Sequence, residues 1–482
     1  MHRAAAAAAQ LAQEILSEHR NNAKVLVLAG PGNNGGDALL TAAHLAQIGV
    51  DVTVLLYADP HQQPRDSQCA LEFARNSAAC FAEPPYLSLI SNTSWSLVVD
   101  GLLGIGLARG ITGEMRSIIE DVNRLDCKVL ALDVPSGLDA DTGNIIGGSG
   151  IAVRATHTIT FIADKPGLHT CDGRDYAGEV HVSSLQLTDN YFMPPNAQLN
   201  EVSLFANALR QRPHNSHKGS YGDVSIVGGA RGMSGASMLA ARAAAQCGAG
   251  RVYAMFIDDV PAYDNVAPEL MCRPAQDCNF SSSTLVLGPG MGTSSSACEL
   301  LTKALTTPAP IVLDADALNL IAVTPVLQNL ITQRTASTVI TPHPLEAARL
   351  LATSSTVVQA DRVSAARELA SRFNAVAILK GSGTVIARPD GVVVINTTGN
   401  PALATAGTGD VLAGACGALL AQQWPVWNTA LGAVWMHGHA ADMLVRQGVG
   451  PIGLTAHELI AAIRADLNRL VKEFGKSNAS RN

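Results

Sequence analysis

KVLVLAGPGNNGGDALL at 24–40 passes from a Val- and Leu-rich run, through a turn of glycine and asparagine, into an apolar helical pattern. Strand, turn and helix in that order open a βαβ unit. A second glycine-rich segment, Gly407-Thr408-Gly409-Asp410, opens another apolar helical stretch. Glycine lets backbone N–H groups face a bound anion without side-chain clash, and a helix starting there adds free amides and a positive dipole end. Two segments of different design predict two sites.

Outward from the first segment the rhythm continues. Val52–Leu56, Leu97–Asp100, Val129–Asp133 and His157–Phe161 read as strands, with helices from about 65 and near 114–125 between them. The pattern predicts an α/β fold with a doubly wound, mostly parallel, Rossmann-like sheet. Loop 31–37, Asp100 and Asp133 fall at strand ends, where one crevice collects them. DNYFMPPN at 189–196 breaks the rhythm with polar and proline residues. The expected domains are therefore 1–188 and 201–478, joined by a linker at 189–200. The second half starts afresh with a strand at 224–227 and a small-residue helix from Ser234. Strands follow at 284–287, 310–313, 337–341 and 376–379, then a strand pair at 383–388 and 391–395, and helices at 409–420, 428–446 and 455–472.

The 482 residues are 47% hydrophobic and carry a formal charge of −7, with a pI near 6.0. That excludes a basic surface for nucleic acid or anionic membrane, so any phosphate site is local. Nine scattered cysteines without a CxxC pair give neither a disulfide framework nor a zinc pattern, which fits a reducing cytoplasm. Met1-His2-Arg3 and six alanines read as a helix rather than a signal peptide, because Gln10, Gln13 and Glu14 soon intervene.

Gly407–Asp410 sets a carboxylate in the first turn of a helix whose leading amides point at a ligand. Amides that cradle a phosphoryl group, beside an Asp that accepts the proton of an attacking hydroxyl, suit phosphoryl transfer to an alcohol. The tetrapeptide alone equally fits a glycine turn whose Asp stabilises a helix N-terminus. Lys380-Gly381-Ser382-Gly383-Thr384 joins two strands and offers amides and a hydroxyl to a nucleotide, or simply a hairpin turn. His343 in Thr341-Pro342-His343-Pro344 faces a ligand or serves structure.

Here the sequence resembles a known family. Gly407–Asp410 with its helix looks like the anion hole and catalytic Asp of the ribokinase-like superfamily. HNSHKGSYG at 214–222, GASMLAARAAAQCGAGRV at 235–252, PEL at 268–270, GPGMG at 288–292, DADALNL at 314–320, TPHPLEAARLL at 341–351 and GTGDVLAG at 407–414 resemble the ADP-dependent NAD(P)H-hydrate dehydratases. Leu345 stands where the family often has Gly, and Thr408 where it has a bulkier residue. The resemblance implies a ribokinase-like α/β second domain. It places Ala236, Gly290, His343 and Asp410 on the hydrate and Lys380, Gly381, Ser382, Gly383, Thr384 and Gly409 on the nucleotide. It also implies that Asp410 deprotonates the ring hydroxyl, that ADP phosphorylates it, and that phosphate leaves with AMP, with magnesium neutralising the diphosphate.

In the first half, GPGNNGGDALLTAAHL at 30–45, DGLLGIGL at 100–107, LDVPSGLDADTG at 132–143 and TITFIADKPGL at 158–168 resemble the NAD(P)H-hydrate epimerase domain. The resemblance assigns potassium to Asn34, Asp100 and Ser136, oxygen donors that suit a hard monovalent ion. It assigns the hydrate to Asn33, Asn34, Gly35, Gly36, Asp37, to Gly104, Ile105, Gly106, Leu107, Ala108, Arg109, Gly110, and to Asp133. Asp133 and Lys165 would handle protons during inversion. Family members carry a further stretch before the helix matching Arg3-Ala4-Ala5. The expectation is either an upstream start or an epimerase half with a shortened N-terminal element.

Together the two resemblances imply a bifunctional repair enzyme acting on the hydrates NADHX and NADPHX with ADP, as a homo-oligomer. The competing expectations are a ribokinase-class small-molecule kinase and a first domain that only binds or scaffolds.

Overall fold

The computed structural model describes residues 1–19, 23–148, 150–187 and 195–475, and the chain divides into two compact units, Met1–Pro195 and Asn196–Asn482. Residues 20–22, 149 and 188, residues 189–194 of the expected linker, and residues 476–482 lie outside the described ones.

In the first unit the strands are β1 (Lys24–Ala29), β2 (Asp51–Leu56), β3 (Cys80–Phe81), β4 (Leu97–Gly101), β5 (Lys128–Leu132), β6 (His157–Phe161) and β7 (Glu179–Ser183). Among the described residues they form one sheet of order β3-β2-β1-β4-β5-β6-β7, and every pairing is parallel. β1 explains the layering. Val25, Val27 and Ala29 pack into one core with helices His2–Ile15, Asn33–Gln47 and Arg65–Arg75, while Leu26 and Leu28 pack into a second with Ile90, Ile118 and Ile119. A strand buried on both faces needs apolar side chains at consecutive positions, each stabilising by about 1.5–3 kcal/mol. The order reverses between β1 and β4, which opens a crevice beyond their carboxyl ends.

The expected 31–37 loop is corrected in one respect. The helix begins at Asn33 behind Gly32, whose φ of 94° ends the turn, so Asn33–Asp37 form its first turn. A Cβ at Gly35 would lie 1.9 Å from the Gly30 carbonyl oxygen, so only glycine lets the turn and the helix close on each other. The helix near 114–125 stops at Val122. β3 and β7 escaped the sequence reading because they are short or partly exposed and carry little apolar signal.

The second unit contains β8 (Gln198–Leu199), β9 (Asp223–Gly228), β10 (Arg251–Phe256), β11 (Met271–Pro274), β12 (Thr284–Leu287), β13 (Ile311–Leu313), β14 (Thr338–Ile340), β15 (Val376–Leu379), β16 (Thr384–Ala387) and β17 (Val393–Asn396). Their order among the described residues is β11-β10-β9-β12-β13-β14-β15-β16-β17-β8. Strands β9 to β15 run parallel, and β16 is antiparallel to both its neighbours. β8 pairs with β17, so the pairing of the second unit already begins at Gln198. β10 and β11 were not anticipated.

Helix Ser234–Gln246 lies against helix Thr408–Ala421 with almost no side-chain spacer: a Cβ at Gly414 would sit 2.1 Å from the Ala240 carbonyl oxygen. No helix among the described residues is long and apolar enough to cross a membrane. Gly414→Ala is expected to lower the unfolding midpoint of the second unit in urea. Forcing the helices apart costs about 1–3 kcal/mol, which exceeds the roughly 1 kcal/mol of helix propensity that alanine gains.

Two candidate active sites

The carboxyl ends of β1, β4, β5 and β6 border a cleft of about 1070 Å³ in the first unit, and Asn33, Asn34, Asp37, Gly104–Arg109, Asp133 and Lys165 line it. Gly35, Gly36 and Gly110 do not line it. A Cβ at Gly35 would strike the Gly30 carbonyl, one at Gly36 would crowd the Met1 and Ser67 side chains, and one at Gly110 would press on Gly147 at 3.2 Å, so their small size serves packing. Asp133 follows β5 with φ 66°, a left-handed conformation rare for a non-glycine residue. It is held there by its N–H on the Ile159 carbonyl at 2.7 Å. Its carboxylate pairs with Lys165 Nζ at 2.8 Å. Lys165 also donates to Thr160 Oγ1 at 2.5 Å and the Phe161 carbonyl at 3.3 Å.

Beside this cleft Asp100 is wholly buried. It accepts the Ser136 hydroxyl at 2.7 Å, the Ser136 amide at 2.8 Å and the Leu102 amide at 3.2 Å. Burial nevertheless raises its pKa against those bonds. Asn34 Nδ2 donates to the Leu103 carbonyl at 3.0 Å, which leaves Asn34 Oδ1 buried without a partner, as is Asp37 Oδ1. Buried polar atoms are normally satisfied, so these two oxygens stand out as acceptors without a protein donor. Burial pushes the Asp37 pKa to about 7, with Asp133 adding to the shift and the Met1 ammonium opposing it.

In the second unit the strand ends collect a charge cluster. Lys380, just after β15, reaches Asp314 Oδ1 at 2.7 Å and Glu346 Oε2 at 3.9 Å. Thr341 Oγ1 donates to the same Asp314 oxygen at 2.7 Å. Gly407, with φ 91°, caps helix Thr408–Ala421 and puts Asp410 in its first turn. A Cβ at Gly409 would lie 3.3 Å from Lys380 Nζ and 3.9 Å from Asp314 Oδ2, which brings the two glycine-bearing segments of the expected nucleotide site together. Asp410 has its pKa raised to about 7, first by burial, then by Asp314, with Asp316 and Glu346 adding and Lys380 opposing. Lys380 keeps its charge: burial works against it, yet Asp314 and Glu346 lift its pKa above the usual value. A base poised near neutrality, beside first-turn amides and an ammonium, is equipped for proton removal coupled to anion stabilisation.

His343 turns out to be a helix cap as well as a surface group. Its Nδ1 accepts from the Leu345 and Glu346 amides at 3.1 and 3.3 Å, and Glu346 Oε2 accepts the His343 amide at 2.8 Å. Its Nε2 lies 3.3 Å from Glu346 Oε1, and burial, aided by Lys380, lowers its pKa. Ala236 and Gly290 adjoin each other: a Cβ at Gly290 would lie 3.2 Å from Ala236 Cβ.

The sequence reading passed over Asp314, Thr341, Glu346 and His437 as site residues. His437 is buried, with a pKa lowered to about 4 by desolvation, and its neutral Nε2–H donates at 2.9 Å to the Thr408 carbonyl at the head of the Asp410 helix. DADALNL and TPHPLEAARLL already contained three of these residues, but nothing in their spacing foretold that Lys380 would join them.

A further cavity of this unit, about 1320 Å³, lies elsewhere. Lys218, Arg251, Met271, Leu419 and Gln422 line it, at the amino ends of β10 and β11 and the carboxyl ends of the two small-residue helices. Helix carboxyl ends present carbonyls rather than amides, and Asp410 sits at the opposite end of its helix. HNSHKGSYG and PEL therefore border this cavity, away from the charge cluster.

A carboxyl whose pKa rises on folding stabilises the fold only while protonated, so its contribution is full below the unfolded value near 3.8 and is lost as pH rises through about 7. Asp410→Asn is accordingly expected to raise the melting temperature more at pH 8 than at pH 5, as followed by calorimetry.

Comparison with known proteins covers both units. The NAD(P)H-hydrate dehydratase family model matches residues 224–465, and the model of the YjeF-related protein N-terminus matches residues 1–167. The chain is 38% identical over 457 residues to the bifunctional NAD(P)H-hydrate repair enzyme Nnr of Coxiella burnetii, covering 92% of this chain and 90% of that protein. It is 35% identical over 494 residues to the enzyme of the same name from Escherichia coli, covering 100% and 91%. A ribokinase-like superfamily protein from Enterococcus faecalis superposes with a TM-score of 0.50 at 24% identity, over 58% of this chain and 98% of that one, which supports the fold of the second unit. With two family models side by side and full-length relatives above 30% identity, the chain belongs to the family of bifunctional NAD(P)H-hydrate repair enzymes.

Proposed function

We propose that the chain repairs hydrated NADH and NADPH in two steps: the first unit interconverts the R and S hydrates, and the second dehydrates the S hydrate at the expense of ADP. The observation that carries the reading is Asp410, a carboxyl whose pKa is raised to about 7 by burial and by Asp314, set at a helix N-terminus beside Lys380.

In the second unit Asp410 takes the proton of the hydroxyl on the hydrated ring, and that oxygen attacks the terminal phosphorus of ADP. The first-turn amides at Gly409 and the Lys380 ammonium stabilise the charge that develops on the phosphoryl oxygens, and AMP departs. The ring nitrogen's electron pair then expels phosphate, and loss of a proton from the adjacent ring carbon restores the dihydronicotinamide. Ala236, Gly290 and His343 border the hydrate, and Lys380–Thr384 hold the nucleotide. Magnesium suits this site, because the carboxylates of Asp314, Asp316, Glu346 and Asp410 outnumber the Lys380 ammonium. Among the described residues no cluster of three or more ligating side chains forms a cage for it, so phosphate oxygens would complete its shell, as is usual for this ion. When bound, the ion offsets diphosphate charge.

In the first unit Asn33, Asn34, Asp37, the Gly104–Arg109 loop and Asp133 border the hydrate. The Asp133–Lys165 pair moves protons at the hydroxyl-bearing carbon during inversion. Potassium fits beneath it: the unpartnered Asn34 Oδ1, the buried Asp100 carboxylate and the Ser136 hydroxyl are the donors such an ion prefers. We place the enzyme in the cytoplasm as a homo-oligomer.

The test supplies a mixed-epimer NADH hydrate with and without ADP and follows dihydronicotinamide absorbance together with AMP and phosphate. Complete recovery, with one AMP and one phosphate for each ring restored, is expected; no ADP-dependent recovery contradicts the reading. Exchanging potassium for tetramethylammonium is expected to slow the R fraction while leaving the S fraction at its original rate.

A further inference from the structure

Behind the loop Lys380–Thr384 stands Arg362, the first residue of helix Arg362–Phe373. Its side chain is only 1% exposed, among the most completely buried large side chains of the protein. Nη1 donates to Gln359 Oε1 at 2.7 Å, and Nη2 donates to the carbonyls of Leu379, Lys380 and Gly383 at 3.1, 3.2 and 3.5 Å. Burying a guanidinium is costly unless its donors are satisfied, and here loop carbonyls satisfy them. Gly381 is fitted to the same group. Its φ is 139°, and a Cβ there would lie 2.8 Å from Nη1 and 2.9 Å from Nη2.

We infer that Arg362 is a positioning residue for the nucleotide: it fixes the peptide planes of the Lys380–Thr384 loop so that the Gly381 amide faces the ligand. The physical argument is the planarity of the peptide bond. In a trans peptide the C=O of one residue and the N–H of the next point in opposite directions. Drawing the Lys380 carbonyl back onto Arg362 turns the Gly381 N–H to the front of the loop, while the Thr384 N–H is directed at β17 by its pairing with Asn396. A lysine at 362 would keep the charge but lose the planar fork that spans several carbonyls. Arg362 touches neither substrate nor reacting atoms; its effect reaches the nucleotide only through the loop.

The inference rests on the reading that this loop holds ADP, and its test separates the two. Steady-state kinetics of the full chain with the S hydrate are measured for wild type and Arg362→Lys, with R-to-S interconversion by the first unit as a control for the integrity of the chain. The expected result is a KM for ADP raised about tenfold, the equivalent of one lost hydrogen bond to a charged group. The KM for hydrate stays at its wild-type value, kcat falls less than the ADP KM rises, and interconversion is unaffected. Should Arg362→Lys not fold, Gly381→Ala, which crowds the same guanidinium from the loop side, is expected to raise the ADP KM likewise. An unchanged ADP KM in a folded variant, whatever its melting temperature, overturns the role of Arg362 alone. Absence of ADP dependence in the wild type overturns the loop reading and this inference with it.

Discussion

Parallel strands all end on the same side of a sheet, and the chemistry of this protein is built on that constraint. In the first unit the ends of β1, β4, β5 and β6 deliver Asn34, the Gly104 loop, Asp133 and Lys165 to one cleft. In the second, the ends of β12 to β15 deliver Gly290, Asp314, His343 and Lys380, and the helix after β17 brings Asp410 to meet them. Neither set is contiguous in sequence, and strand order alone makes each local. The order reversal, between β1 and β4 in one unit and β9 and β12 in the other, supplies the gap a ligand needs.

Desolvation then gives the gathered groups their character. Asp410 and Asp37 are both half-removed from water and near other carboxylates, and both are held protonated up to about pH 7. An exposed aspartate would be a far weaker base. The two sites meet the cost of buried charge differently. In the second, Lys380 stands among Asp314, Glu346 and Asp410 and is kept charged by them. In the first, Asp100 receives only neutral hydrogen bonds and Asn34 Oδ1 receives none. One site is arranged around a buried ammonium among carboxyl groups, and the other pairs its ammonium, Lys165, with Asp133 and buries Asp100 among neutral donors, so two glycine-rich segments of superficially similar type stand in different electrostatic surroundings.

Much of this was legible in the sequence, for reasons that particular residues make plain. β1, β12 and β15 are short apolar runs buried on both faces, and runs of that kind announce themselves. GTGD placed Asp410 because a glycine with positive φ before a helix has a recognisable signature. β3 and β8 are short, and β7 and β11 are partly exposed, so none carried a pattern. The first turn at Asn33–Asp37 was read as loop because its glycines are poor helix formers, whereas close packing against Gly30 demands them. Long-range pairs do not show in the residues alone: Asp133 and Lys165 come together only through the family resemblance, nothing at Lys380 predicts Asp314, and Arg362 looks like any other charged residue at the start of a helix. Those partners are set by tertiary geometry.

The most direct test of two independent sites on one cofactor uses two variants of the full chain on separated epimers. Asp133→Asn is predicted to restore the S hydrate with ADP at the wild-type rate and to leave the R hydrate at the uncatalysed rate. Asp410→Asn is predicted to restore neither while still interconverting R and S. Loss of both activities in either variant, or turnover of the R hydrate by Asp133→Asn at the wild-type rate, would contradict the account.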